Sequence, residues 1–172
     1  LILLQFFAAN DVCNNSRELD AHAGRPYYRL DGERLVLDDS FLRDPERVRF
    51  QTSKWIQLKD FVVHHSRMAA LIYEYRNRKQ VPMPADGTEA GLAVQAFCEP
   101  DRGAWRDAWA VTDRLVLEIA QDARSHGAGF IVLMANCGIE VDAQDEARER
   151  LERQLGVDDL LYPDRRMTAL GA

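Results

Sequence analysis

The opening run Leu1-Ile2-Leu3-Leu4-Gln5-Phe6-Phe7, followed at once by Ala8-Ala9-Asn10-Asp11, constrains this chain more than any other segment. An apolar stretch of that length is too short to cross a bilayer, and it lacks the basic n-region of a secretory leader. It reads as a fully buried parallel strand, because strands covered on both faces carry near-continuous apolar sequence rather than alternation. A second such run, Gly129 to Met134, follows the clearest helical pattern, Ala104 to His126. In that pattern Trp105, Ala108, Trp109, Thr112, Val116, Ile119 and Ala123 share one face, and Gly127 sits where a helix-ending glycine belongs. A helix feeding a buried strand is half of a right-handed crossover. The expected fold class is therefore α/β, with a parallel central sheet covered by helices on both faces. A domain seldom begins on its central strand, so the chain is expected to lack its start and to expose sheet edges that further strands would pair.

The middle of the chain reads differently. After a polar loop from Ala8 to Asp20, Asp31-Gly32 separates Tyr27–Leu30 from Glu33–Leu37 and predicts a tight hairpin. From Ser53 to about Arg78 the spacing predicts one helix with Trp55, Leu58, Val62, His65, Ala69 and Ile72 on its buried face. Pro82, Pro84, Gly87 and Gly91 mark a loop that runs to about Arg102. Residues 17–102 are thus expected to form an insertion carrying a hairpin and a helix. Downstream, Asp142 is expected to cap a charged helix from Ala143 to Leu155 that Gly156 stops, with a thin stripe of Ala147, Leu151 and Leu155. Pro163 opens a last short helix that ends near Gly171.

Composition narrows the partners. The 172 residues suit one domain, and 47% apolar with 29% charged residues is ordinary for a globular chain. A net charge of −6 argues against general nucleic-acid binding, which needs a basic face. The basic cluster Arg76-Asn77-Arg78-Lys79 reads as a solvated helix end. Cys13, Cys98 and Cys137 form no CxxC pair and are expected as buried free thiols. Adjacent helical residues point about 100° apart, so His64 and His65 do not chelate one ion together. No metal site, cofactor or membrane-spanning segment is expected.

The polar residues that follow the two buried runs carry the chemistry. Ligands of open α/β sheets bind beyond the carboxyl ends of the strands, which places Asn10 and Asp11, and likewise Asn136-Cys137-Gly138, on the functional edge. An Asn carboxamide there can donate to a developing oxyanion, a contribution of roughly 3 kcal/mol in hydrolases. The same two residues also suit a simple turn in which Asn and Asp bond their own backbone. Asn136-Cys137-Gly138 reads as a loop closing the pocket.

The order apolar strand, Asn10-Asp11, then Val12-Cys13-Asn14-Asn15-Ser16, resembles the third conserved block, Gly-x-Asn-Asp, of SGNH/GDSL-type serine hydrolases. Pro26 to Gly32, Leu35 to Phe41, His65-Ser66-Arg67, Leu155 to Leu160 and Tyr162 to Arg166 resemble one subgroup of that family, so the likeness runs along nearly the whole chain. The resemblance implies a three-layer α/β/α fold and an esterase or acylhydrolase whose Asn10 is one of three oxyanion donors. The implied substrate is a small-molecule, carbohydrate or lipid acyl ester. The chain departs from the family pattern in three ways. Ala8 and Ala9 stand where the block carries Gly, no Gly-Asp-Ser is present, and no Asp-x-x-His is present. The 172 residues are therefore expected to be inactive alone, as a partial domain holding neither nucleophile nor base. A non-catalytic α/β binding module is the alternative.

Overall fold

The computed structural model describes residues 1–20, 25–77, 92–101, 103–141 and 145–171. In chain order the elements begin with β1 (Ile2–Phe6), α1 (Ala8–Asn14), α2 (Arg17–Asp20), β2 (Tyr27–Asp31) and β3 (Arg34–Asp38). Then come α3 (Pro45–Thr52), α4 (Lys54–His65) and α5 (Arg67–Asn77). The series closes with α6 (Gly103–Ser125), β4 (Phe130–Met134), α7 (Gly138–Val141), α8 (Asp145–Leu155) and α9 (Tyr162–Gly171). The fold is mixed α/β and mostly helical, with a small parallel sheet and an antiparallel hairpin. It divides into two units: β1 to α2, the hairpin and α6 to α9 form the first, and α3 to α5 lie in the second.

In the first unit, β1 and β4 pair in parallel, in the register Ile2 to Phe130 through Phe6 to Met134. Successive strand residues point to opposite faces. Leu4, Phe6, Phe130, Val132 and Met134 therefore meet Trp109 and Val116 of α6 and Met167 of α9 in one core cluster. The opposite face is open. Leu3 is 59% exposed, Ile131 48% and Leu133 51%. The expectation of strands buried on both faces is corrected here: among the described residues helices cover one face only, so an all-apolar strand ends half in solvent.

Helix α6 keeps the predicted position. Its interior holds Ala108, Trp109, Thr112, Val116 and Ala123 as expected, joined by Val111 and Ala120, whereas Ile119 turns outward at 39% exposure. It stops where Gly127 takes φ +71° and Ala128 N–H donates back to the Ala123 carbonyl at 2.9 Å. That is the left-handed glycine cap, which a residue with Cβ adopts at a cost. Arg166 of α9 clasps α6 through both oxygens of Asp113, the shortest contact being 2.6 Å, while its guanidinium carbon lies 5.1 Å from the Trp109 ring centroid. A second cluster joins Ala9, Phe97, Cys137, Ile139, Leu151 and Leu160, with Ala147 and Leu155 packed against it as the thin stripe of α8 anticipates.

Four expectations shift. Residues 8–14 and 17–20 are helical rather than a loop, and Phe97, expected within a loop, sits in a 3₁₀ turn as part of the core. The hairpin forms, with its two-residue turn at Gly32-Glu33, where Gly32 takes φ +61°. The long helix from Ser53 is broken at Ser66, whose φ of −130° and ψ of 113° are extended and whose Oγ accepts from the Ala69 N–H at 3.3 Å. A serine cap inside an apolar stripe restarts the helix. Trp55, Leu58, Val62, His65 and Ile72 are exposed rather than buried, and Ala69 is half-buried. The loop glycines and prolines from Pro82 to Gly91, together with Asp142, Ala143 and His22, lie outside the described residues.

Candidate functional site

Because β1 and β4 run parallel, their carboxyl ends share one edge, and the segments that leave them, Phe7–Asp11 and Ala135–Gly138, lie side by side. The Ala135 N–H donates to the Phe6 carbonyl at 2.8 Å, and Ala9 and Cys137 share a core cluster. Helix α1 begins at once after the strand. Its N-terminus is held by Asp11, whose carboxylate accepts from the Phe7 N–H at 2.7 Å, one turn back. This reciprocal cap satisfies an amide that the helix itself leaves unpaired. Ala8, Ala9 and Val12 turn inward and leave Asn10 on the outer face, exposed. Among the described residues the Asn10 carboxamide has no hydrogen-bond partner.

The far end of α1 is anchored by Asn15, whose Nδ2 donates to Thr112 Oγ1 at 3.0 Å; that hydroxyl in turn donates to the Ala108 carbonyl at 2.8 Å. The base of α1 is thus fixed at both ends while its third residue is free. The sequence singled out Asn10 and Asp11 together; the structure separates them into an unoccupied donor and a helix cap.

Across the edge, Glu140 is the residue that sequence reading missed. Its carboxylate accepts from the Cys137 N–H at 2.8 Å and from Asn136 Nδ2 at 3.3 Å. The sequence does carry a signal, a carboxylate three residues after Cys137 at the start of a helix. Cys137 is buried, Cys13 and Cys98 are half-buried, and the three form no disulfide with one another. Burial pushes the Cys98 thiol up from its ordinary value.

Among the described residues, His64, His65 and His126 do not build a catalytic relay. His64 and His65 donate through Nδ1 to the carbonyls one turn back, at 2.7 and 2.8 Å. Ser125 Oγ, the Asp122 carbonyl and the Asp122 carboxylate all approach the same nitrogen of His126, at 3.2, 2.9 and 3.6 Å. A relay needs its two partners on different ring nitrogens; this cluster instead terminates a helix in solvent. Among the described residues no group of three His, Cys, Asp or Glu could hold a metal ion, and no helix is long and apolar enough to cross a membrane.

No protein-family model, no curated protein and no solved structure matches the chain.

Proposed function

We propose that the chain is part of a serine esterase domain of the SGNH/GDSL type and that Asn10 supplies one donor of its oxyanion hole. The observation that carries the proposal is Asn10 itself: an exposed, unoccupied carboxamide one residue into the first turn after Ala9, at the carboxyl end of a parallel strand. A carboxamide donor carried at that edge by an anchored helix can stabilise charge developing on an acyl carbonyl. The rest of the reaction follows general acyl-transfer chemistry. A serine attacks the ester carbonyl, a histidine takes its proton and returns it to the leaving alcohol, and the oxyanion is held by Asn10 with two backbone amides. The substrate class is an acyl ester on a small molecule, carbohydrate or lipid. The three-layer α/β/α arrangement belongs to the same proposal, supported by the parallel β1–β4 pair and the helical layer over one of its faces.

A non-catalytic α/β binding module is favoured by one specific observation. Asp11, the acidic neighbour of Asn10, is engaged in capping α1, as in an ordinary strand-to-helix turn. One assay separates the two readings. The full product of the reading frame that carries these residues is tested for p-nitrophenyl acetate hydrolysis and for labelling by a fluorophosphonate. The esterase reading expects turnover, a labelled serine, and a drop in kcat of about a hundredfold or more in Asn10→Ala with unchanged circular dichroism. Absence of both turnover and label leaves the binding module. Full activity in Asn10→Ala removes that residue from the oxyanion hole.

A further inference from the structure

Helices α4 and α5 turn their heavier apolar side outward. On α5 the half-buried positions are Ala69 and Ala70, whereas Met68, Leu71, Ile72 and Tyr75 are exposed, Tyr75 to 81%. Spacings of three and four residues put those four side chains on one stripe. On α4 the half-buried apolar positions are Ile56 and Val63, and the exposed stripe is Trp55, Leu58, Phe61 and Val62. The two helices pack on each other, yet the larger part of the apolar surface of each stays outside that contact.

The borders of these stripes are basic. At about 100° per residue, Arg67 and Arg76 flank the α5 stripe on its two sides, and Lys54 opens the α4 stripe at its amino end. All three are exposed, and none has an ion-pair partner among the described residues. Residues 45–79 hold eight Lys and Arg against three Asp and Glu, a net of +5 within a chain whose net charge is −6. This stretch is therefore positive where the remainder of the chain is strongly negative.

We infer that the α4–α5 pair is an interfacial element that lies on an anionic lipid bilayer. The apolar stripes enter the boundary between headgroups and acyl chains, and Lys54, Arg67 and Arg76 stay in the hydrated headgroup layer. Trp55 and Tyr75 combine an apolar ring with one polar atom, the side-chain type that settles at that boundary. A helix satisfies its own backbone, so hydrocarbon is able to cover these two elements, as it is not for a strand edge. A protein partner would need carboxylates set against three separate cations, whereas anionic lipids supply negative charge at every point around the stripes. Neither helix is long and apolar enough to cross a membrane, so the element rests on the surface rather than spanning it. None of these residues belongs to the β1–α1 segment, and the inference stands or falls separately from the esterase reading.

The test floats the full chain with vesicles of phosphatidylcholine, alone or with about one third phosphatidylserine. Binding to the mixed vesicles is expected to be about tenfold tighter or more, and to loosen as salt is added. Phosphatidylcholine brominated along its acyl chains should quench tryptophan fluorescence in the parent, and Trp55→Phe should remove most of that quenching, because Trp105 and Trp109 belong to the core of the first unit. Leu71→Ser, which leaves the charge unchanged, is expected to weaken binding about tenfold. Arg67→Gln combined with Arg76→Gln is expected to weaken it about thirtyfold. All three positions are exposed, so the circular dichroism of these variants should match the parent. The inference is overturned if the chain does not float with the mixed vesicles, if the bromines leave Trp55 unquenched, or if Leu71→Ser binds as tightly as the parent. Self-association without vesicles that Leu71→Ser abolishes, together with no flotation, would instead assign the stripes to a second copy of the chain.

Discussion

Helix α6 and the pair α4–α5 carry apolar residues at the same helical spacing, yet they end in opposite states. Trp109 of α6 is fully buried, whereas Trp55 of α4 is 75% exposed. Among the described side chains of residues 38–77 none is buried. Periodicity states only that a face exists; burial requires a complementary surface. Helix α6 has one in the β1–β4 sheet, α1 and α9, whereas α4 and α5 pack chiefly on each other and on α3. The side chains of the second unit find local partners instead: Phe61 stacks on His65 at 4.1 Å, and Lys59 Nζ lies 4.8 Å from the Tyr73 ring centroid.

The contrast is sharpest at its two tryptophans. Trp109→Ala empties the centre of the main cluster and is expected to cost about 3–5 kcal/mol, measured by denaturant unfolding. Trp55→Ala is the matched control, expected within about 0.5 kcal/mol of the parent. Equal losses at both sites would mean that the second unit has a core of its own and would break the comparison. Next in size is Asp113→Ala, which leaves Arg166 partly buried without its carboxylate. About 1–3 kcal/mol is expected from the loss of this charged partner. Arg166 reports the same loss. Burial alone would lower its pKa, but the hydrogen bonds and charge of Asp113, with help from Tyr162, outweigh this and hold it above its ordinary value.

The smallest effect is acid dependence at the surface. Asp159 is held below the usual carboxylate range by its hydrogen bond from Arg165, at 2.8 Å, and by the Leu161 amide. A depressed folded-state pKa gives stability that is present above the unfolded value and is lost as pH falls through the folded one. Thermal melts of the parent and Asp159→Asn should therefore differ slightly at neutral pH and converge in acid. A difference that widens on acidification would reverse the assignment.

Much of the first unit was legible because its signals are local. Gly127 and Gly156, with φ of +71° and +70°, end their helices where the sequence places them. The two apolar runs become β1 and β4, and Asp31-Gly32 marks the hairpin to within one residue. What escaped depends on side chains answering the backbone at short range. Asp11 and Ser66 convert an expected loop into a helix and an expected helix into two. The site was half legible: Asn10 could be placed at the strand end by counting, but its freedom follows from Asp11 and Asn15 fixing α1 at both ends. The exposure of His65 was not legible, since nothing in its own segment tells whether another surface arrives to cover it.

The three cysteine thiols turn the molecule into its own chemical clock. Cys137 is 4% exposed within the Ala9–Phe97–Leu160 cluster, so an alkylating reagent reaches it only when that cluster opens. Cys13 and Cys98 are half-buried and accept the reagent from the folded state, with Cys98 slowed by its raised pKa. Mass spectrometry of a timed labelling should therefore resolve a late adduct from earlier ones. The lag before the late adduct measures how often the carboxyl edge that carries Asn10 breathes.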